Sequence, residues 1–312
     1  MSVGGAAGWR AVRGAISQIQ PYSIHDGPGI RTTIFFQGCP LACWWCHNPE
    51  AKLARRQLLF DADRCQGCGA CVPACPSQAI GVVQGRAVTD RARCDGTGAC
   101  VAVCPNEARS IVGRHVTAGE TFDEAAVDAM FFSEQDGGIT LSGGEPLSQP
   151  DFAAALLYLC DEAGIHATVD TCGQAPWPTL ARVLPLAKLV LFDLKHMNSD
   201  AHLAATGVRN EWILENARRV HRELQVPLRV RVPVIPGMND TDDNIAATAR
   251  FVAEELSPLV PLHLIPYHAF GEGKRAMLGG TATQETHVPS AERMGTLQAL
   301  AAGFGLEVLV GG

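Results

Sequence analysis

Residues 31–50 read RTTIFFQGCPLACWWCHNPE. The first six, RTTIFF, have the β-branched and aromatic content of a buried strand. They run at once into a loop with three cysteines, Cys39, Cys43 and Cys46, spaced CxxxCxxC. Three thiolates can hold a cubane iron–sulfur cluster and leave one iron open, and an open coordination position is what a catalytic metal site needs to bind substrate. His47 lies next to Cys46, which is no spacing for a fourth ligand.

The same unit, a strand with a polar or glycine-rich signature at its carboxyl end, recurs along the chain. GITLS (138–142), IHATVD (165–170), KLVLFD (188–193), LRVRVPV (228–234) and LVPLHLI (259–265) are the further candidate strands. The signatures at the six ends are QGC, SGGEP, DTCG, DLK, PGMND and PYH. Helical stretches at 151–164, 210–224 and 240–256 separate strands, which implies parallel βαβ units. In a β/α barrel the reactive groups gather at the carboxyl ends of the strands, so six signatures converge on one mouth.

At 312 residues the chain has room for about two domains. Hydrophobic residues make up 47% and charged residues 18%, with no apolar run near the ~18 residues of a membrane span, so a membrane role is not expected. The opening MSVGGAAGWRAVRGA lacks the apolar stretch of a secretory signal; it reads as a flexible lead-in over 1–15 and a cytoplasmic chain. A net charge of −7 argues against a nucleic-acid partner.

Ten of the 12 cysteines lie between Cys39 and Cys104, and a reducing compartment disfavours disulfides. Cys65, Cys68, Cys71 and Cys75 form CxxCxxCxxxCP; Cys94, Cys100 and Cys104 form a related run, also ending in CP. Positions 65, 71 and 75 recur 29 residues later at 94, 100 and 104, an internal duplication. This spacing resembles that of bacterial two-cluster ferredoxins, in which the last cysteine of each run serves the other run's cluster. On that pattern Cys65, Cys68, Cys71 and Cys104 complete one [4Fe-4S] cluster, and Cys75, Cys94 and Cys100 serve the second. The counterpart of Cys68 is Thr97. Thr97, water or Asp95 could fill that corner, the iron could be absent to leave [3Fe-4S], or the lobe could be empty. Structural zinc needs four ligands and explains less of the spacing. The insert, 52–114, holds nine Lys and Arg against five Asp and Glu, a net +4 that leaves −11 for the remainder. A basic shell offsets cluster charge and eases reduction.

CxxxCxxC with the run from SIHDGPGIRTTIFFQGCPLACWWCHNPE through SGGEP, DTCG, DLKHMN, RVPVIPGMND and PYH resembles the glycyl-radical-enzyme activating enzymes, a radical S-adenosylmethionine (SAM) family. The resemblance implies an α/β fold, a partial (β/α)6 TIM-like barrel over 16–51 and 115–312, with 52–114 an inserted ferredoxin-like domain. It implies an oxidoreductase in which Cys39, Cys43 and Cys46 hold a catalytic [4Fe-4S] cluster whose open iron is chelated by SAM. One electron from the cluster would give a 5′-deoxyadenosyl radical, which abstracts hydrogen from a glycine of a partner glycyl radical enzyme. Gly143 and Gly144 would meet the SAM methionine, supported by Glu145; Asp170, Thr171 and Asp193 match a ribose and monovalent-cation group. Lys195 would neutralise the SAM carboxylate and His268 contact the nucleoside. Arg231 could assist at that carboxylate or form a core salt bridge. Asp26 matches a residue that meets the partner's glycine loop. A flavodoxin or ferredoxin would supply electrons, with the insert as relay, structural element or docking surface, and the chain would act as a monomer.

Two other readings compete: radical SAM chemistry on a small molecule, which the DGPG run opposes, and a plain iron–sulfur electron carrier, which would leave SGGEP, DTCG and DLK without purpose. Cys160 and Cys172 read as packing residues, Trp44 and Trp45 as cover for the cluster, and His47 has no derived role.

Overall fold

The computed structural model describes residues 5–132, 136–280 and 286–311. Residues 1–4 of the expected lead-in lie outside them. The rest of that segment is structured: Gly5–Arg10 forms helix α1, and Arg13–Ser23 forms strand β1. The reason is Trp9, which stacks on Tyr158 with ring centroids 5.2 Å apart and packs on the core.

β1 pairs antiparallel with β2, Arg31–Phe36, and on its other edge with β7, Arg114–Thr117. Between β2 and β7 the chain leaves the main sheet to build the insert: β3 (Gln57–Phe60), α2 (Cys71–Ala74), β4 (Ile80–Val83), β5 (Arg86–Thr89), α3 (Ala99–Ala102) and β6 (Arg109–Val112). β3 pairs with β6, and β4 with β5. The 29-residue repeat maps β3 onto β5 and β4 onto β6, so the two ladders are copies with strands exchanged.

After β7, Thr117 and Glu120 form a reciprocal capping box that starts α4, Ala118–Ala125. The chain then alternates: β8 (Gly138–Gly143), α5 (Pro150–Glu162), β9 (His166–Thr171), α6 (Trp177–Val183), β10 (Leu189–Asp193), α7 (Ser199–Thr206), α8 (Glu211–Arg219), β11 (Leu228–Val234), α9 (Asp242–Arg250), β12 (Leu262–Pro266), α10 (Phe270–Met277), α11 (Ala291–Ala302) and β13 (Val308–Val310). The six parallel strands β2 and β8 to β12 lie side by side in chain order, β13 adds parallel to β12, and no pairing joins β13 to β7 among the described residues. This is a partial (β/α)6 barrel with an antiparallel ribbon on one edge.

The core lies between the strands and the outer helices. Along β11 Leu228, Val230, Val232 and Val234 are buried, each worth about 1.5–3 kcal/mol, while the alternate positions turn Arg231 into the barrel. Arg31 is fully buried and spends its donors on Pro28, Asp136, Ile139 and His166 carbonyls and the Thr140 hydroxyl. It fastens the DGPG loop to β2 and β8. Among the described residues no helix is long and apolar enough to cross a membrane.

Candidate active site

One cavity of about 520 Å³ opens at the carboxyl ends of the parallel strands. Cys39, Cys43 and Cys46 line it, facing Gly143, Gly144, Asp170, Thr171, Asp193, Lys195 and His268, with Asp26 also in its wall. Its volume falls within the roughly 300–1,000 Å³ of small-molecule sites.

The three-cysteine loop is held from behind. Cys39 N–H donates to the Lys52 carbonyl at 3.0 Å, and Lys52 Nζ donates to the Cys43 carbonyl at 2.7 Å. Leu41, Trp45, Ile235 and Tyr267 surround it as a small apolar cluster. That burial pushes the Cys43 thiol up to about 12 and raises Cys46 as well, whereas a hydrogen bond from Cys172 holds Cys39 lower. Buried thiolates of this kind need a cation to ionise against, which iron supplies. Among the described residues no three His, Cys, Asp or Glu side chains converge on a single metal ion. A cubane, which gives each thiolate its own iron, suits this set better than zinc.

Gly143 has φ +98°, and a Cβ there would lie 2.6 Å from backbone atoms of Phe35 and Phe36; at Gly144 it would lie 2.4 Å from the Gly38 carbonyl. The two glycines let β8 pass against the cysteine loop, so the loop and the far wall are fixed by one contact. Glu145 is absent from the cavity wall. It is fully buried beneath it, accepting hydrogen bonds from Leu147 N–H, the Thr171 hydroxyl and Cys172 N–H. Its task is to hold the DTCG turn.

Opposite the cysteines lies a charge network. Arg231 donates to Asp170 at 2.6 Å and to Asp193 at 3.0 Å, and Lys195 donates to Asp193 at 3.0 Å. Burial raises Asp170 to about 6; Asp193, equally buried, is held below the usual range by Arg231 and Lys195. Asp26 adds a third carboxylate to this wall and acts on both Asp170 and Arg231, so three carboxylates face two cations.

His47 also lines the cavity. Its ring stacks on His268, centroids 3.9 Å apart, and His268 packs on Phe270 at 4.3 Å. Burial drives His47 down to about 4, so it is neutral at pH 7, and its buried Nε2 has no hydrogen-bond partner. Position next to Cys46 was the only signal in the sequence. Asp26 is fixed in the wall by Thr33, whose hydroxyl donates to its carboxylate, and by Thr140, whose hydroxyl donates to its carbonyl, both at 2.7 Å.

In the insert, Cys65, Cys68, Cys71 and Cys104 line one small cavity, the crossed set that the ferredoxin pattern implies. Arg109 also lines it and donates to Cys100 Sγ of the other set at 4.0 Å. This guanidinium is buried, with Nη2 unpartnered, where the repeat has Ile80 in the first lobe. The second lobe keeps the backbone of the first: Gly96 and Gly98 have φ +72° and +86° where Gly67 and Gly69 have +68° and +73°. Ala79 N–H donates to Cys75 Sγ and Ala108 N–H to Cys104 Sγ, both at 3.3 Å. The second lobe also faces the barrel. Arg91 donates to the Met277 carbonyl of α10 at 2.7 Å, while Gly96 packs on Arg56 inside the insert, four residues beyond the Lys52 that supports the three-cysteine loop. The same helix reaches Cys46 through Arg275, which donates to its carbonyl.

Comparison with known proteins agrees with this geometry. Residues 97–252 match the radical SAM superfamily and 57–105 a 4Fe-4S dicluster domain. The chain is 40% identical, over 94% of its length and 96% of the relative's, to the isethionate sulfite-lyase activating enzyme of Nitratidesulfovibrio vulgaris. It is 39% identical, over 95% and 99%, to the trans-4-hydroxy-L-proline dehydratase activating enzyme of Clostridioides difficile. The chain belongs to the radical SAM activating enzymes of glycyl radical enzymes. A radical SAM methyltransferase from Sphaerobacter thermophilus shares the fold of this activating enzyme, with TM-score 0.54 and 18% identity over 90% of the chain and 66% of that one. The superfamily match begins at Thr97, downstream of the three-cysteine loop, so that loop is assigned by its spacing and its place in the cavity.

Proposed function

We propose that Cys39, Cys43 and Cys46 hold the cluster of this activating enzyme, and that SAM lies between it and the charged wall opposite. The cluster, when bound and reduced, supplies the electron that cleaves SAM to the 5′-deoxyadenosyl radical. The chain's own residues do the positioning. Lys195 faces the SAM carboxylate, while backbone carbonyls at Gly143 and Gly144 accept from its ammonium. Arg231 keeps Asp170 and Asp193 in place for the ribose, and Thr171 is held by Glu145. The neutral His47–His268 stack offers a flat wall to the nucleoside without competing charge. Trp45 and Leu41 keep water from the cluster, and Asp26 receives the glycine loop of the protein substrate. The observation that carries this reading is the convergence of three cysteines, two glycines, Lys195 and Asp26 on one cavity.

We further assign 16–51 and 115–312 to the barrel and 52–114 to the insert. A flavodoxin or ferredoxin docks on the insert, electrons enter near exposed Cys68 and pass through the second lobe inward, and the chain acts as a monomer. Relatives that serve a sulfite-lyase and a dehydratase match almost equally, so candidate partners include both reaction classes.

The test is anaerobic. Reconstituted, reduced protein given SAM and a candidate partner should produce 5′-deoxyadenosine and a glycyl EPR signal, and Cys43→Ala should abolish both. Lys195→Ala should weaken SAM binding about 10- to 100-fold, the loss of a charge-assisted hydrogen bond. SAM cleavage with products from a small molecule and no glycyl signal from any partner would favour the small-molecule reading.

A further inference from the structure

We propose that the second insert site, held by Cys75, Cys94 and Cys100, is a three-iron cluster with an exchangeable fourth corner at Thr97, open to solvent. The inference rests on the insert binding clusters at all, not on the barrel chemistry.

Three observations carry it. First, the lobe is not degenerate. Its three cysteines pack in the same apolar cluster as Cys65 and Cys71 of the first lobe, and the loop Asp95–Gly98 keeps the left-handed glycines of the first lobe's loop. A Cβ at Gly96 would lie 2.8 Å from the Arg56 carbonyl, as one at Gly67 would lie 2.0 Å from the Gly85 carbonyl. Second, the missing ligand is not replaced from within. Thr97 is exposed, and a neutral hydroxyl is a poor iron ligand beside three thiolates. Asp95, also exposed, uses one carboxylate oxygen to accept from Thr97 N–H at 3.1 Å, an arrangement that closes the turn on itself. Third, Arg56 lies over this loop, its guanidinium 3.6 Å from the position of a Cβ on Gly98, where the first lobe has Gly85. A cation beside the corner disfavours holding a further ferrous ion.

The exchange balances simply. The oxidised three-iron core takes one electron from a reductant such as dithionite, then binds one aqueous ferrous ion to give the oxidised four-iron core; an oxidant such as ferricyanide reverses it. No bond to the protein breaks. Because this lobe faces the barrel, the labile corner lies on the inner part of the proposed electron route.

The experiment uses the full chain with Cys39, Cys43 and Cys46 all replaced by Ala, which removes the barrel cluster and its own open iron from the readout. Mild ferricyanide oxidation should give the EPR signal of an oxidised three-iron cluster at close to one spin per chain. Dithionite with isotopically labelled ferrous iron should abolish that signal and add one labelled iron per chain by Mössbauer spectroscopy. Thr97→Cys, which restores the ligand of the first lobe, should reduce both the signal and the label uptake at least tenfold. Cys100→Ala should remove the signal altogether, and Asp95→Asn should leave it unchanged. The proposal is overturned by a four-iron cluster that survives oxidation without exchanging label, by iron content short of a whole cluster, or by iron retention that depends on Asp95. All of these outcomes are independent of SAM cleavage, which is measured on the unaltered barrel.

Discussion

Residues 57–83 and 86–112 of the insert repeat one another in strands, turns and left-handed glycines, yet four cysteines line the first lobe's cavity while the second run has Thr97 where the first has Cys68. The backbone is the conserved quantity and the ligand set the variable one. On the proposed assignment a cradle is kept while its redox character is changed by a single side chain, and the change lies in the lobe that faces the barrel. The buried cation differs in the same way, Arg109 standing in the second copy where Ile80 stands in the first.

The hardest test of this comparison is to cross it. Cys104→Ala should remove the whole cluster of Cys65, Cys68 and Cys71, although Cys104 belongs to the other repeat, and leave the three-cysteine cluster spectroscopically intact. Loss of the second cluster instead would break the crossed pairing. Next in size is the glycine pair. Gly67→Ala and Gly96→Ala each force a left-handed alanine, about 1–3 kcal/mol of backbone strain, and the closer carbonyl at Gly67 should make its loss of thermal stability the greater. Arg109→Ile makes the second lobe like the first. It should leave both clusters bound and make both harder to reduce, with a tenfold shift in the equilibrium read as about 59 mV by EPR-monitored titration. An effect on one cluster only would show that Arg109 does not serve both. The smallest effect is expected at Arg64, whose exposed pair with Glu107 links the lobes across the surface. Arg64→Ala should cost under about 1 kcal/mol by denaturant unfolding, less still in high salt.

Much of this was legible in residues. The six parallel strands follow from apolar β-rich runs, with the largest error at the start of β12, and their carboxyl-end signatures do share a cavity. Cys65, Cys68, Cys71 and Cys104, grouped by the ferredoxin pattern, do line one small cavity. β1 was not read because its segment, RGAISQIQPYS, is half polar and carries a proline; its pairing comes from β2, just after it in the chain, and from β7, about ninety residues on. Glu145 was read as supporting the Gly143–Gly144 contact with SAM; its buried hydrogen bonds to Thr171 and Cys172 depend on the chain turning it inward, which SGGEP alone does not announce. The His47 stack depends on β12 delivering His268 beside the cysteine loop, a meeting that no local pattern announces. Thr97 was visible as a missing cysteine, while the left-handed conformation that Gly96 and Gly98 share with Gly67 and Gly69 was not.

The insert leaves the sheet after β2 and rejoins it at β7, and both strands pair with β1. Arg91 adds a third attachment through α10. Many electron carriers joined to an enzyme work as swinging arms on flexible tethers, loading at one position and discharging at another. Here the insert springs from two strands of one antiparallel ribbon and is also pinned from the side, an arrangement that restrains swinging. If the insert relays electrons as proposed, it does so as a fixed wire: transfer through it should be indifferent to solvent viscosity, and only the diffusional arrival of the donor should slow as viscosity rises.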